Sequence, residues 1–273
     1  MMSEALRDNL DAQVFDTPQD SELVKAKTLL TIVDLGSRSR AIGLSLRPKD
    51  IIVAVDGVHF EGNADDLIQR LQQPEADSEF IDEDEEKEVI EFLLTVYRAG
   101  VFFEVITTGP LGGKLDFEAP ESVEAILQGF QGRKVYPVKD YTKFEVYRDF
   151  KKNCLVISHE TSPVPGILPL VWLAEYRMWE AFLAIVAVYG LMFGIHPLVF
   201  AISYILTCVY FGRGQLVFHR SYAQFQEKQF WQFLAARSLL DAQMKCRELD
   251  EQCVFEFSLV PPPRKRRVQP LEA

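Results

Sequence analysis

The chain has 273 residues, of which 48% are apolar and 25% charged, with a net charge of −11. At ~100–200 residues per domain, that allows one large or two modest domains, each with a real core. The composition excludes a collagen-like, disulfide-stapled or wholly disordered chain. The acidic balance excludes a general nucleic-acid binder, which needs a basic face to release phosphate counterions.

The N-terminus, Met1 to Leu10, has no basic stretch leading into an apolar one, so no cleavable signal peptide is predicted. The N-terminal half is expected on the synthesis side of any membrane. Residues 1–27 read as an acidic, weakly patterned segment. Thr28–Leu35 is apolar and β-branched, hence a strand. Gly36–Arg40 is a loop, Ala41–Leu46 a short helical turn and Arg47–Asp50 a turn. Ile51–Val55 is a second strand closed by Asp56-Gly57. Asn63 or Gly62 can cap a helix through Leu71.

Residues 75–91 hold ten acidic residues and one lysine. Such a run repels itself and stays solvated, so residues 74–88 read as an acidic insertion. A strand follows at Val89–Tyr97. Arg98-Ala99-Gly100 then turns into the paired strand Val101–Ile106. Gly109–Gly113 reads as a linker. Residues 114–165 read as a small α+β appendage, with a helix near Glu121–Phe130 and strands near Phe144–Tyr147 and Cys154–Ser158.

Two uncharged runs follow, Ala181–Ile195 and Leu198–Gly212, separated by His196-Pro197. Each has 15 residues, roughly 22 Å of helix against about 30 Å of hydrocarbon. Apolar flanks extend both, so residues 167–219 are expected to form a two-span membrane hairpin. A buried hairpin and a re-entrant one are the alternatives. Trp172, Tyr176 and Trp179 suit the interface, and Arg177 can snorkel to it. Lys143, Arg148, Lys151 and Lys152 precede the hairpin, and Arg213, Arg220 and Lys228 follow it. The turn has no basic residue, so both termini are expected on the cytoplasmic side of the inner membrane. Gly190 and Gly194 would let the two helices approach closely.

Residues 222–250 read as an amphipathic helix with Trp231 at the membrane surface. In the tail, 258–273, the cluster Arg264, Lys265, Arg266 and Arg267 suits anionic lipid headgroups. A disordered tail is the plain alternative. The cysteines Cys154, Cys208, Cys246 and Cys253 form no Cys-x-x-Cys pair and are expected as free thiols. Cys208, in apolar sequence, reads as a small buried hydrophobe.

The stretch Leu30-Thr-Ile-Val-Asp-Leu-Gly-Ser-Arg-Ser-Arg-Ala41, followed by Leu46-Arg-Pro-Lys-Asp-Ile-Ile-Val-Ala-Val-Asp-Gly57, resembles a bacterial PDZ domain. The helix Ala64–Leu71 and the strand Leu93–Arg98 with its Arg-x-Gly turn extend the resemblance over about residues 28–108. Lys49 stands where the family has glycine. The resemblance implies a β-sandwich or partly open barrel with a groove helix, within an α+β chain. It also implies capture of an extended peptide or internal strand beside Ala64, Ile68 and Leu71. The family's carboxylate-binding loop would fall within residues 5–20, where no matching glycine pattern occurs. The C-terminal part is similar to uncharacterised bacterial two-span membrane proteins, on Pro169–Trp179 and the apolar pair.

No catalytic motif survives. His159-Glu160 begins a metalloprotease pattern but lacks the second histidine and meets Pro163. There is no nucleophile elbow and no P-loop. His196 reads as a polar loop residue, and no metal or cofactor is expected. The sequence therefore points to a non-catalytic, membrane-anchored accessory, assembly or scaffolding factor of a membrane protein complex. A substrate-recruiting adaptor of a membrane protease and a lipid-surface protein are the alternatives.

Overall fold

The computed structural model describes residues 28–72 and 89–263. The first strands are β1 (Leu30–Asp34), β2 (Ile51–Val55) and β3 (Val58–His59), with α1 (Arg40–Gly43) between β1 and β2. Asp56 and Gly57 both have positive φ, and Val55 pairs with Val58 across them. That is the two-residue hairpin turn whose twist suits the strands. The helix α2 (Ala64–Arg70) starts on a capping box between Asn63 and Asp66. The strands β4 (Phe92–Arg98) and β5 (Val101–Thr107) form a hairpin over Ala99-Gly100, again with both φ positive.

The next elements depart from the linker-and-appendage reading. β6 (Lys114–Phe117) returns to pair antiparallel with β1. α3 (Pro120–Phe130) lays Val123, Ile126 and Leu127 on Leu29, Ile51, Val53 and Phe102. Gly109–Gly113 is no free linker, because Leu111 is buried in the main core. Residues 114–130 therefore pack with the first strands. Only β7 (Thr142–Arg148) and β8 (Asn153–Ser158) lie further out.

Four helices follow: α4 (Val164–Ile167), α5 (Pro169–Glu175), α6 (Trp179–Ile195) and α7 (Pro197–Phe225). α6 and α7 form an antiparallel hairpin, with Tyr189 against Phe200 and Tyr204, and Phe193 against Phe200. Its outward side chains are apolar and exposed, among them Leu183, Leu191, Leu198, Leu206 and Val209. Among the described residues, α7 alone is long and apolar enough to cross a membrane, and α6 is a shorter apolar helix.

The expected helix 222–250 is corrected. α7 stops at Phe225, the chain turns through Glu227 at a φ of 58°, and β9 (Gln229–Ala236) follows. α8 (Leu239–Leu249) and β10 (Val254–Phe255) are the last elements among the described residues. β9 is buried toward its C-terminal end on both faces. A strand covered on both faces loses its alternation and mimics a broad helical stripe. β9 joins the two halves of the molecule: it pairs along β7 and touches β5 at Glu104 and Ala235. Among the described residues the result is an α+β fold on one ten-stranded sheet, β10-β8-β7-β9-β5-β4-β2-β1-β6, with β3 beside β2.

Candidate functional sites

The first site lies at the β6 end of the sheet. Among the described residues, β6 has no strand on its outer side. α2 runs beside it. Ala64, Leu67, Ile68 and Leu71 of the helix line a small groove with Leu111, Gly112, Gly113 and Leu115. The three helix residues expected in a groove, Ala64, Ile68 and Leu71, thus come together at one. Their spacing puts them on one helical face, which is why they were legible. Ile68 is left exposed, whereas Leu71 is buried.

The glycines at the groove's end went unread. Gly112 and Gly113 have φ of 67° and 127°. A Cβ on Gly113 would sit 2.8 Å from the carbonyl oxygen of Asp34, so the backbone approach there requires glycine. The Leu111 carbonyl accepts from the N–H of Ala41 at 2.9 Å, which fixes the turn on α1. The region 5–20, where a carboxylate loop was expected, lies outside the described residues, as does the insertion at 74–88.

The second site lies where α5 and α7 meet β8. Glu145 of β7 is fully buried, yet it is charged. His159 Nε2 is 2.6 Å from its Oε1, Arg220 Nε donates to Oε2 at 2.9 Å, and a second Arg220 nitrogen bonds Oε1. Burial pushes this carboxyl up, but the hydrogen bonds from His159 and Arg220 outweigh it and hold the pKa at about 2. Burial and the adjacent Glu145 push the Tyr147 phenol up to about 12. Arg220 belongs to α7, so this ion pair ties the long helix to the sheet.

Beside it is a cavity of about 330 Å³. Ile157 and Phe255 form its buried apolar wall, and Glu160 and Glu175 stand exposed at its mouth. No sequence motif signalled it, because its lining comes from β7, β8, α5, α7, α8 and β10.

The expected membrane-facing residues divide. Trp179 is 53% exposed at the start of α6, and Tyr176 is also exposed. Trp172 is corrected: it is 1% exposed, packed among Tyr176, Phe211, Phe218 and His219, and faces protein. Arg177 adopts a φ of 52° between α5 and α6 and lays its guanidinium 5.2 Å over the Phe257 ring. Trp231 is corrected too. It stands in β9 under the guanidinium of Arg148, 4.3 Å from its ring centre, not on an amphipathic helix.

Gly190 and Gly194 make no close helix contact, since a Cβ on either meets nothing within 4 Å. The close approach is instead between Gly166 of α4 and Gly212 of α7, where a Cβ on Gly212 would lie 3.1 Å from the Gly166 Cα. All four cysteines are free; Cys208 is half-buried, and the other three are buried. Among the described residues, no His, Cys, Asp and Glu cluster could hold a metal ion. Arg264, Lys265, Arg266 and Arg267 lie outside the described residues.

The chain matches no known protein family, no curated protein and no solved structure.

Proposed function

We propose that this protein is a membrane-anchored, non-catalytic interaction factor that holds an extended segment of a membrane protein partner in the groove between α2 and β6. The observation that carries this reading is that, among the described residues, the outer edge of β6 is unpaired beside the apolar face of α2 on which Ile68 is exposed. An unpaired edge offers a ladder of N–H and C=O groups to an incoming strand, and the neighbouring helix supplies side-chain specificity. In this reading residues 28–117 are PDZ-like, with the strand that borders the groove coming last in the chain. The glycine turn 111–113 then lies where such a module holds a terminal carboxylate.

The hairpin is the anchor. α7 has 29 residues, roughly 43 Å of helix, which exceeds the ~30 Å of hydrocarbon. α6 has 17 residues, roughly 26 Å, and spans with its Trp179 end at the interface. Basic residues flank the pair and none lies in its turn. This supports both termini on the cytoplasmic side of the inner membrane, with the groove there too. In such a position the protein serves as an accessory or assembly factor of a membrane complex.

The test is co-purification of the tagged full chain in mild detergent, beside an Ile68→Arg variant. Near-stoichiometric membrane proteins eluting with the wild type and lost with Ile68→Arg are the expected result. An identical set with both would end the groove reading, and an empty wild-type eluate would end the accessory-factor reading.

A further inference from the structure

We propose that the cavity between β8, α5 and α7 is a binding site for an uncharged lipid, one whose head group carries a carbonyl or hydroxyl and whose tail is apolar. The case starts from one side chain. His219 projects from α7 and lines the cavity, and it is only 8% exposed. Its ring meets Trp172 and Tyr176 edge-on, with centroids 4.9 and 4.6 Å away. Neither ring nitrogen has a hydrogen-bond partner among the described residues. Neither nitrogen is sealed inside the protein, so the polar edge of the ring is open to whatever fills the cavity.

The other buried polar groups of the wall are satisfied. Gln215 donates to the Ser162 carbonyl at 2.6 Å and accepts from the Ser162 N–H at 3.0 Å. Gln243 donates to the Phe257 carbonyl at 2.6 Å and accepts from the Leu259 N–H at 2.8 Å. His219 leaves a donor and an acceptor in the lining of a cavity that is more apolar than polar. A neutral imidazole offers one of each, which suits a carbonyl or a hydroxyl.

Charge decides the head group. Glu160 and Glu175 stand at the mouth. His159 also lines the cavity, but its Nε2 is committed to Glu145. Arg177 stacks on Phe257 and is not part of the lining. Among the described residues that line the cavity, no uncommitted Lys or Arg meets a carboxylate or phosphate, and two carboxylates repel one. The volume, about 330 Å³, lies at the lower end for small-molecule sites, which are apolar with a few placed polar groups.

Position decides the source, and here the inference rests on the spanning hairpin. From Pro197 to Gln215, α7 rises roughly 27 Å, close to one hydrocarbon thickness. Gln215 and His219 then lie at headgroup depth, where a lipid enters sideways from the bilayer. A quinone and a diacylglycerol share the required chemistry.

The test uses the full chain in phosphatidylcholine nanodiscs. Decylubiquinone is titrated and quenching of tryptophan fluorescence is read, since Trp172 touches His219. Dioctanoylglycerol and oleate are tried as competitors. Saturable quenching is expected, about tenfold weaker in His219→Phe, which keeps the ring contacts and removes the hydrogen bond. His219→Gln, which restores a donor and an acceptor, is expected to recover part of the affinity. Displacement by dioctanoylglycerol marks a site for either lipid, and its failure marks a quinone site. Equal displacement by oleate, quenching that does not saturate, or a His219→Phe variant that melts like the wild type and binds equally well would each overturn the proposal. Alkaline carbonate extraction tests the anchor separately. A chain that stays in the membrane but binds nothing loses the cavity alone; a chain stripped from it loses the anchor.

Discussion

Lys49 shows how much one residue can concede to its turn. Its φ is 75°, in the region where a Cβ is crowded, and its N–H bonds the Ile32 carbonyl at 2.7 Å. The left-handed conformation costs roughly 1–2 kcal/mol for a residue with a side chain. Glycine removes that strain but loosens the unfolded chain by roughly 0.5–1 kcal/mol. Lys49→Gly is therefore expected to stabilise the fold by about 0.5–1 kcal/mol, read as a higher Tm; a lower Tm would refute this. Glu145 works in the opposite sense, through charge. Its carboxyl titrates near 4.5 when unfolded and at about 2 when folded. Its ion pair thus stabilises the fold fully above about pH 4.5 and progressively less as pH falls toward 2. Acid titration of stability should show this loss, and Glu145→Gln should flatten the slope in that window. An unchanged slope would mean that other carboxylates set the acid limb.

Between elements, Arg98 is the joint that the sequence half revealed. Its position before Ala99-Gly100 was legible as a hairpin turn. Its partners were not: Asp50 takes both Nε and Nη2 at 2.6 Å, Ser45 accepts at 2.9 Å, and Gln232 of β9 accepts from Nη1 at 2.8 Å. Asp50 and Gln232 are almost wholly buried. Arg98→Ala strands both, and a cost of about 3–5 kcal/mol is expected in chemical denaturation. A cost below about 1 kcal/mol would show that water replaces the guanidinium. β1, β2, β4, β5 and the helix α2 were readable because turn residues and one-sided periodicity mark them locally. β6 and β9 were not, because their pairing partners lie far along the chain and nothing local names them. The groove was legible on its helix side for the same reason, while its glycine turn passed for a linker. Helix packing followed the same rule. A glycine pair within α6 looked like a contact, but the close approach joins Gly166 and Gly212 across different helices. Gly212→Leu is expected to cost about 1–3 kcal/mol by overpacking, and Gly190→Leu close to nothing. The reverse order would restore the contact to α6.

At the scale of the whole molecule, the question is what covers the hairpin. Leu206 and Val217 lie on the same helix and are 64% and 62% exposed, so the protein itself treats them alike. A bilayer does not. Leu206 is roughly 14 Å along α7 from Pro197 and Val217 roughly 30 Å, so if α7 spans as proposed, the first would lie near mid-membrane and the second at the interface. An arginine at the centre of a spanning helix costs about 2.5–3.5 kcal/mol of insertion and much less at its end. Leu206→Arg is therefore expected to release a large fraction of the chain from membranes under alkaline carbonate, with Val217→Arg retained like the wild type. If α7 lay flat on the surface, depth along the helix would not matter, and two equally exposed positions should respond alike. If a protein partner covered the hairpin in water, the wild type itself would be extracted. The comparison thus reads the surroundings of α7 from two positions that the fold leaves equivalent. It also decides whether the His219 cavity opens toward lipid or toward solvent.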